Sequence, residues 1–101
     1  MLSRSVTIVN QLGMHARAAA RFVHLATRFQ SRVRVARLGR EVDGKSIMGV
    51  LLLAAARGSA ITITADGSDE FEALAALAAL VEAGFGELAS ERGGPPETTT
   101  P

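Results

Sequence analysis

Residues 4–29, RSVTIVNQLGMHARAAARFVHLATRF, carry two different periodicities separated by a glycine. The first part, Arg4 to Val9, alternates polar and β-branched residues and predicts a strand. Asn10-Gln11-Leu12-Gly13 then reads as a loop, because Gly13 permits backbone angles other residues avoid. From residue 16 to 29 the pattern is helical. At about 100° per residue, Ala19, Phe22, Val23, Ala26 and Phe29 fall on the side of the helix away from Arg17. Arg17, Arg21, His24 and Arg28 form a basic stripe on the near side. A strand followed by a strongly amphipathic helix sets the class: strands and helices are mixed, and each needs a partner to cover its apolar side.

Working outward, Arg32-Val33-Arg34-Val35-Ala36-Arg37 alternates with period two and predicts a second strand with one polar face. Leu38-Gly39-Arg40 predicts a tight turn into a short strand over 40–43, and Gly44-Lys45-Ser46 opens a short apolar helix over 47–54. Residues 60–65, AITITA, predict the last strand. After the Asp66-Gly67-Ser68 turn, Ser68 or Asp69 is expected to cap a helix. Its buried stripe would be Phe71, Leu74, Leu77, Ala78 and Val81, and Gly84 would end it. The resulting order is β-α-β-β-α-β-α. It predicts an α+β domain with a four-stranded antiparallel sheet and its three helices on one face. Residues 1–89 are expected to form that domain, and residues 90–101 a disordered tail without apolar periodicity.

Composition narrows the function. The 101 residues are 48% hydrophobic and 4% aromatic, with no Cys, so thiolate metal sites and disulfides are excluded. The N-terminal MLSRSVTIVNQLG lacks a long apolar run with a cleavage site, and the apolar stretches 47–56 and 73–81 are too short to span a bilayer. A cytoplasmic protein without a membrane partner is expected. The net charge of +1 conceals a balance of +7 over residues 1–46 and −6 over residues 47–101. Such asymmetry suits a basic face offered to an acidic partner, although scattered solvated charges would give the same count. Nucleic acid is disfavoured because aromatic stacking residues are nearly absent.

Gly13-Met14-His15-Ala16-Arg17 is the first candidate site. The first N–H groups of a helix lack internal partners, and the helix dipole adds positive charge there. An anion at that spot gains roughly 0.3–1 kcal/mol, up to about 2. Arg17 adds a guanidinium fork matched to phosphate oxygens. A neutral imidazole is nucleophilic near pH 7, and it can carry a phosphoryl group without a separate base. Phosphoryl transfer mainly needs positioning and positive charge, and both are present. The same residues also fit an ordinary histidine at a helix start, and spacing alone leaves both readings open. Ser46, in Lys45-Ser46-Ile47-Met48-Gly49-Val50-Leu51, is placed as a helix cap and as a position where an added phosphate is tolerated. Ile47, Met48 and Leu51 form either an apolar surface patch or part of the core. Gly39 to Ser46 also fits the nucleotide-binding G-x-x-x-x-G-K-[ST] pattern, but the half-polar preceding strand and the short following helix are the wrong context. A His15–His24 metal site is disfavoured, since nine residues place them on opposite sides of a helix.

Gly13-Met14-His15-Ala16-Arg17 resembles the active-site motif of HPr, the histidine-containing phosphocarrier family of the bacterial phosphotransferase system. Lys45-Ser46-Ile47-Met48-Gly49-Val50 resembles that family's second signature, and the separation of the two motifs and the element order match over about residues 2–88. The resemblance implies an open-faced β-sandwich. It implies that His15 takes a phosphoryl group on Nδ1 from enzyme I, which draws it from phosphoenolpyruvate, and passes it to an enzyme IIA domain. Arg17 would steady the phosphate. Ser46 would be the target of a regulatory serine kinase and its phosphorylase. Arg21 and His24, with Ile47, Met48 and Leu51, would form the docking surface. The chain would act as a monomeric carrier that turns over no substrate by itself and needs neither cofactor nor metal. The family usually carries Pro directly after the motif's Arg, and Ala18 stands there instead. Ala is an excellent helix former, so the helix is expected to survive; the lost constraint is expected to cost about 0.4–1 kcal/mol through the unfolded state. A nitrogen-related regulatory branch of the family, and a binding module of the same fold that no longer transfers phosphate, are the alternative readings.

Overall fold

The computed structural model describes residues 1–88; the tail expected over 90–101 lies outside them. Strand β1 spans Leu2–Thr7, helix α1 Ala16–Ala26, β2 Arg32–Arg37, β3 Arg40–Asp43, α2 Ile47–Leu52, β4 Ala60–Asp66 and α3 Glu70–Glu82, followed by a tight turn at Gly84–Gly86. The four strands form one antiparallel sheet in the order β1-β4-β2-β3. The expected element order and open-faced α+β arrangement are those observed.

Alternation in the strands decides which face is covered. Val33 and Val35 of β2, with Ile61, Ile63 and Ala65 of β4, point to one side and are buried. Arg32 and Thr62 point to the other and are exposed. The covered face meets Ala18, Ala19, Phe22, Val23 and Ala26 of α1, Val50 of α2, and Ala73, Leu74, Leu77, Ala78 and Val81 of α3. The β2–β3 turn uses Leu38 at φ 51° and Gly39 at φ 82°. Two successive left-handed residues match the natural twist of a two-residue hairpin. The G-x-x-x-x-G-K-[ST] pattern is thus spread over a hairpin turn, a strand and a helix cap.

Three local expectations are corrected. Phe71 is 71% exposed rather than part of the buried stripe. It lies in the first turn of α3, about 120° round the helix from Leu77, while Ala73 takes the inward position. Helix α1 ends at Ala26, where Thr27 Oγ1 donates to His24 O, so Phe29 reaches the core from a turn. Asp69 stands at the head of α3 but makes no side-chain cap. Its carboxylate instead accepts from Gln30 N at 2.8 Å, Ser31 N at 2.9 Å and the Ser31 hydroxyl. Glu70 accepts from Gly67 N at 3.1 Å and so serves the turn before the helix.

Candidate functional site

The backbone places His15 before its chemistry begins. Gly13 adopts φ 66°. A Cβ there would lie 2.6 Å from Ala55 O, so the loop can approach residue 55 only as glycine. Gly13 N donates to Asn10 O at 3.1 Å and Met14 N to Ala55 O at 2.9 Å, while the Met14 side chain is buried. His15 then follows as the cap of α1 in an extended conformation. Its Nδ1 accepts from Arg17 N at 3.2 Å. Ala18, at the departure from the family pattern, is fully buried, and α1 still starts at Ala16. No acidic side chain occupies the first turn of α1.

The far side of the imidazole is held by a residue that no local pattern singles out. His15 Nε2 donates to Glu87 Oε2 at 2.6 Å, and Glu87 Oε1 accepts from Asn10 Nδ2 at 2.9 Å. Asn10 is completely buried and also donates to Gly13 O at 2.8 Å. Its Oδ1 is buried without a partner among the described residues, which costs about 1–3 kcal/mol. Because Nδ1 accepts, the ring proton resides on Nε2, and the Nδ1 lone pair faces the helix start. Burial opposes ionisation of Glu87. Hydrogen bonds from Asn10 and His15, and the nearby charge of Arg21, outweigh it and hold its pKa below the usual 4.5. The His15 and Glu87 side chains remain 26% and 15% exposed, so the pair is reachable from solvent.

Around them lies a cleft of about 730 Å³ lined by Gln11, Leu12, Arg17 and Arg21. Arg17 is exposed at its rim, while Arg21 donates to Phe85 O and ties α1 to the turn that carries Glu87. His24 is exposed on the same helix, beyond Arg21. Ser46 is the cap of α2, its Oγ accepting from Gly49 N at 3.1 Å. Met48 is 69% exposed and Ile47 38%, whereas Leu51 is half-buried against the core and Leu52 is 61% exposed. Helices α1 and α2 are packed together, so the helix that carries the basic stripe adjoins the one that carries the α2 apolar residues. The apolar patch therefore draws on Leu52 more than on Leu51. Glu87 and Asn10 escaped sequence reasoning because Glu87 meets His15 across 72 residues, and Asn10, which holds Glu87, lies in a loop without periodic signal.

No helix among the described residues is long and apolar enough to cross a membrane. Residues 2–83 match the family model described as the PTS HPr component phosphorylation site. Phosphocarrier protein HPr of Cupriavidus necator is 55% identical over 87 residues, covering 86% of this chain and 98% of that protein. HPr of Neisseria meningitidis is 48% identical with the same coverage. Among solved structures, HPr of Thermoanaerobacter tengcongensis superposes with a TM-score of 0.83 at 41% identity, covering 86% of this chain and 98% of that one. Bacillus subtilis Crh, solved as a domain-swapped dimer, gives 0.68 at 43% identity, covering 83% and 97%. With both motifs in place on the matching fold, this chain belongs to the HPr family of phosphocarrier proteins of the phosphotransferase system.

Proposed function

We propose that His15 is the phosphoryl acceptor, loaded by enzyme I and discharged to an enzyme IIA domain. The observation that carries this reading is the cap geometry. The Nδ1 lone pair rests on the N–H of Arg17 at 3.2 Å, a long and weak bond that an incoming phosphorus atom displaces readily. Once the bond to phosphorus forms, the same N–H group is free to donate to a phosphoryl oxygen. The helix dipole and the Arg17 guanidinium add positive charge at that position. The ring is solvent-reachable at the lip of a cleft, as a group passed between proteins requires.

Ser46 is read as a regulatory phosphorylation site for a serine kinase and its phosphorylase. The cap position supports this, since its hydroxyl is already aimed at a backbone N–H of the first turn of α2. Arg21, His24, Ile47, Met48 and Leu51, joined by Leu52, are read as the shared docking surface. A cytoplasmic, monomeric carrier fits this role, and light scattering that gave a dimer would remove the monomer from it. The test of the central claim is incubation with enzyme I and labelled phosphoenolpyruvate. The wild type is expected to take up acid-labile label and a His15→Ala variant none. Label persisting in that variant would overturn the assignment.

A further inference from the structure

His15 is anchored at both ring nitrogens, and only one anchor is local. The other is delivered by an unusual piece of backbone. Gly84, Phe85 and Gly86 adopt φ 63°, 57° and 79°, three consecutive left-handed residues that turn the chain back after α3. Phe85 is not a glycine, and its conformation is strained; it is held by burial of its ring and by the Arg21 bond to its carbonyl. Glu87 follows directly, with one carboxylate oxygen on His15 Nε2 and the other on buried Asn10. Both amide hydrogens of Asn10 are committed, to Glu87 and to Gly13 O, so the loop before α1 and the segment after α3 meet at this carboxylate.

We propose that Glu87, held by Asn10, is a positioning residue for phosphoryl transfer: it keeps the ring proton on Nε2, leaves Nδ1 as the attacking atom, and offsets the positive charge the ring gains. The proposal rests on the reading of His15 as acceptor. In the step, the Nδ1 lone pair forms the bond to phosphorus. The bond from phosphorus to the donor protein breaks, and its electron pair stays on the donor. No proton leaves His15: the Nε2–H remains on the ring, donated to Glu87. On discharge the pair returns to Nδ1 and the ring is neutral again. A carboxylate behind an imidazole performs the same two tasks, orientation and charge stabilisation, in hydrolytic triads. Here the chain supplies it from 72 residues away.

The test compares Glu87→Ala and Glu87→Gln with wild type in enzyme I-dependent labelling and in proton–nitrogen spectra of the unphosphorylated protein. The wild type is expected to show a protected Nε2–H signal for His15. The Ala variant should lose that signal by exchange with water and lower kcat about tenfold or more, as for the loss of a charge-assisted hydrogen bond, with KM nearly unchanged. The Gln variant keeps an acceptor oxygen without the charge and should fall between them in both measurements. An Ala variant with wild-type kcat, or with the Nε2–H signal intact, overturns the proposal, as does a loss expressed only in KM. If the wild type takes no label from an enzyme I that labels another HPr, the reading of His15 as acceptor fails, and the Nε2–H signal alone still decides whether Glu87 holds the ring.

Discussion

Gly13 shows how one residue sets the position of the chemistry. Its left-handed φ and the 2.6 Å that a Cβ would leave to Ala55 O are independent penalties, one intrinsic and one steric. The obstructing atom is backbone and cannot rotate away. A Gly13→Ala variant is therefore expected to lose about 2–3 kcal/mol in urea unfolding, more than the roughly 1–2 kcal/mol of left-handed strain alone. A loss under about 1 kcal/mol would mean that the loop shifts freely, and that His15 is not placed by its contact with residue 55. His15 and Arg17 were legible from their neighbours because a helix start is a local event. Asn10 was not. Its burial and its two donated bonds follow from what folds over the loop, and its sequence neighbours say only that the chain turns there.

Among the elements, α3 departs most from what its sequence suggests. Its head is fastened to the α1–β2 connection through Asp69, whose carboxylate serves Gln30 and Ser31 rather than its own helix. The Ser31 hydroxyl, followed by the Gln30 and Ser31 amides, holds the Asp69 pKa below its usual 3.8. A carboxylate with a depressed folded-state pKa contributes stability above its unfolded value, and that stability is lost as pH falls through the folded one. Glu70, bonded to Gly67 N and to the N-terminal ammonium, is shifted the same way from 4.5. An Asp69→Asn variant should thus be less stable than wild type at neutral pH. The gap should close as the pH is lowered below 3.8. Thermal unfolding of both proteins across that range gives the comparison, and a gap independent of pH would assign the loss to packing instead. The same tie explains why a capping role expected for Asp69 from its position did not materialise: three donors from another segment outcompete the helix's own N–H groups.

For the molecule as a whole, charge is the quantity that couples the two motifs. The acidic second half does not cancel the basic first half uniformly. Pairs such as Arg4–Glu82 at 2.9 Å and Arg34–Glu41 at 3.2 Å neutralise the strands and α3. Arg17 on α1, which packs against α2, and Arg28 just beyond the end of α1 stay exposed. A negative charge at Ser46 would fall on that side and weaken attraction for an acidic partner. Enzyme I-dependent labelling of a Ser46→Asp variant is expected to show a kcat/KM about three- to tenfold lower than wild type at low salt, with the difference shrinking as ionic strength rises. Equal rates at low salt would remove the regulatory role read for Ser46.

The sequence by itself determined the element types and their order, the helix start at His15, the cap at Ser46 and the family, because periodicity and capping act over a few residues. Only the tertiary structure decided that β1 pairs with β4, that Leu52 is exposed while Leu51 faces inward, and that Asp69 serves another segment. It alone brought Glu87 and Asn10 behind the imidazole. These contacts depend on how α1, α3 and the turn after α3 settle on one sheet face, and that packing is set by total apolar burial rather than by any local pattern. The proposed phosphoryl acceptor is written in a five-residue motif. The groups that hold its far side come from the loop before α1 and from the chain that follows α3.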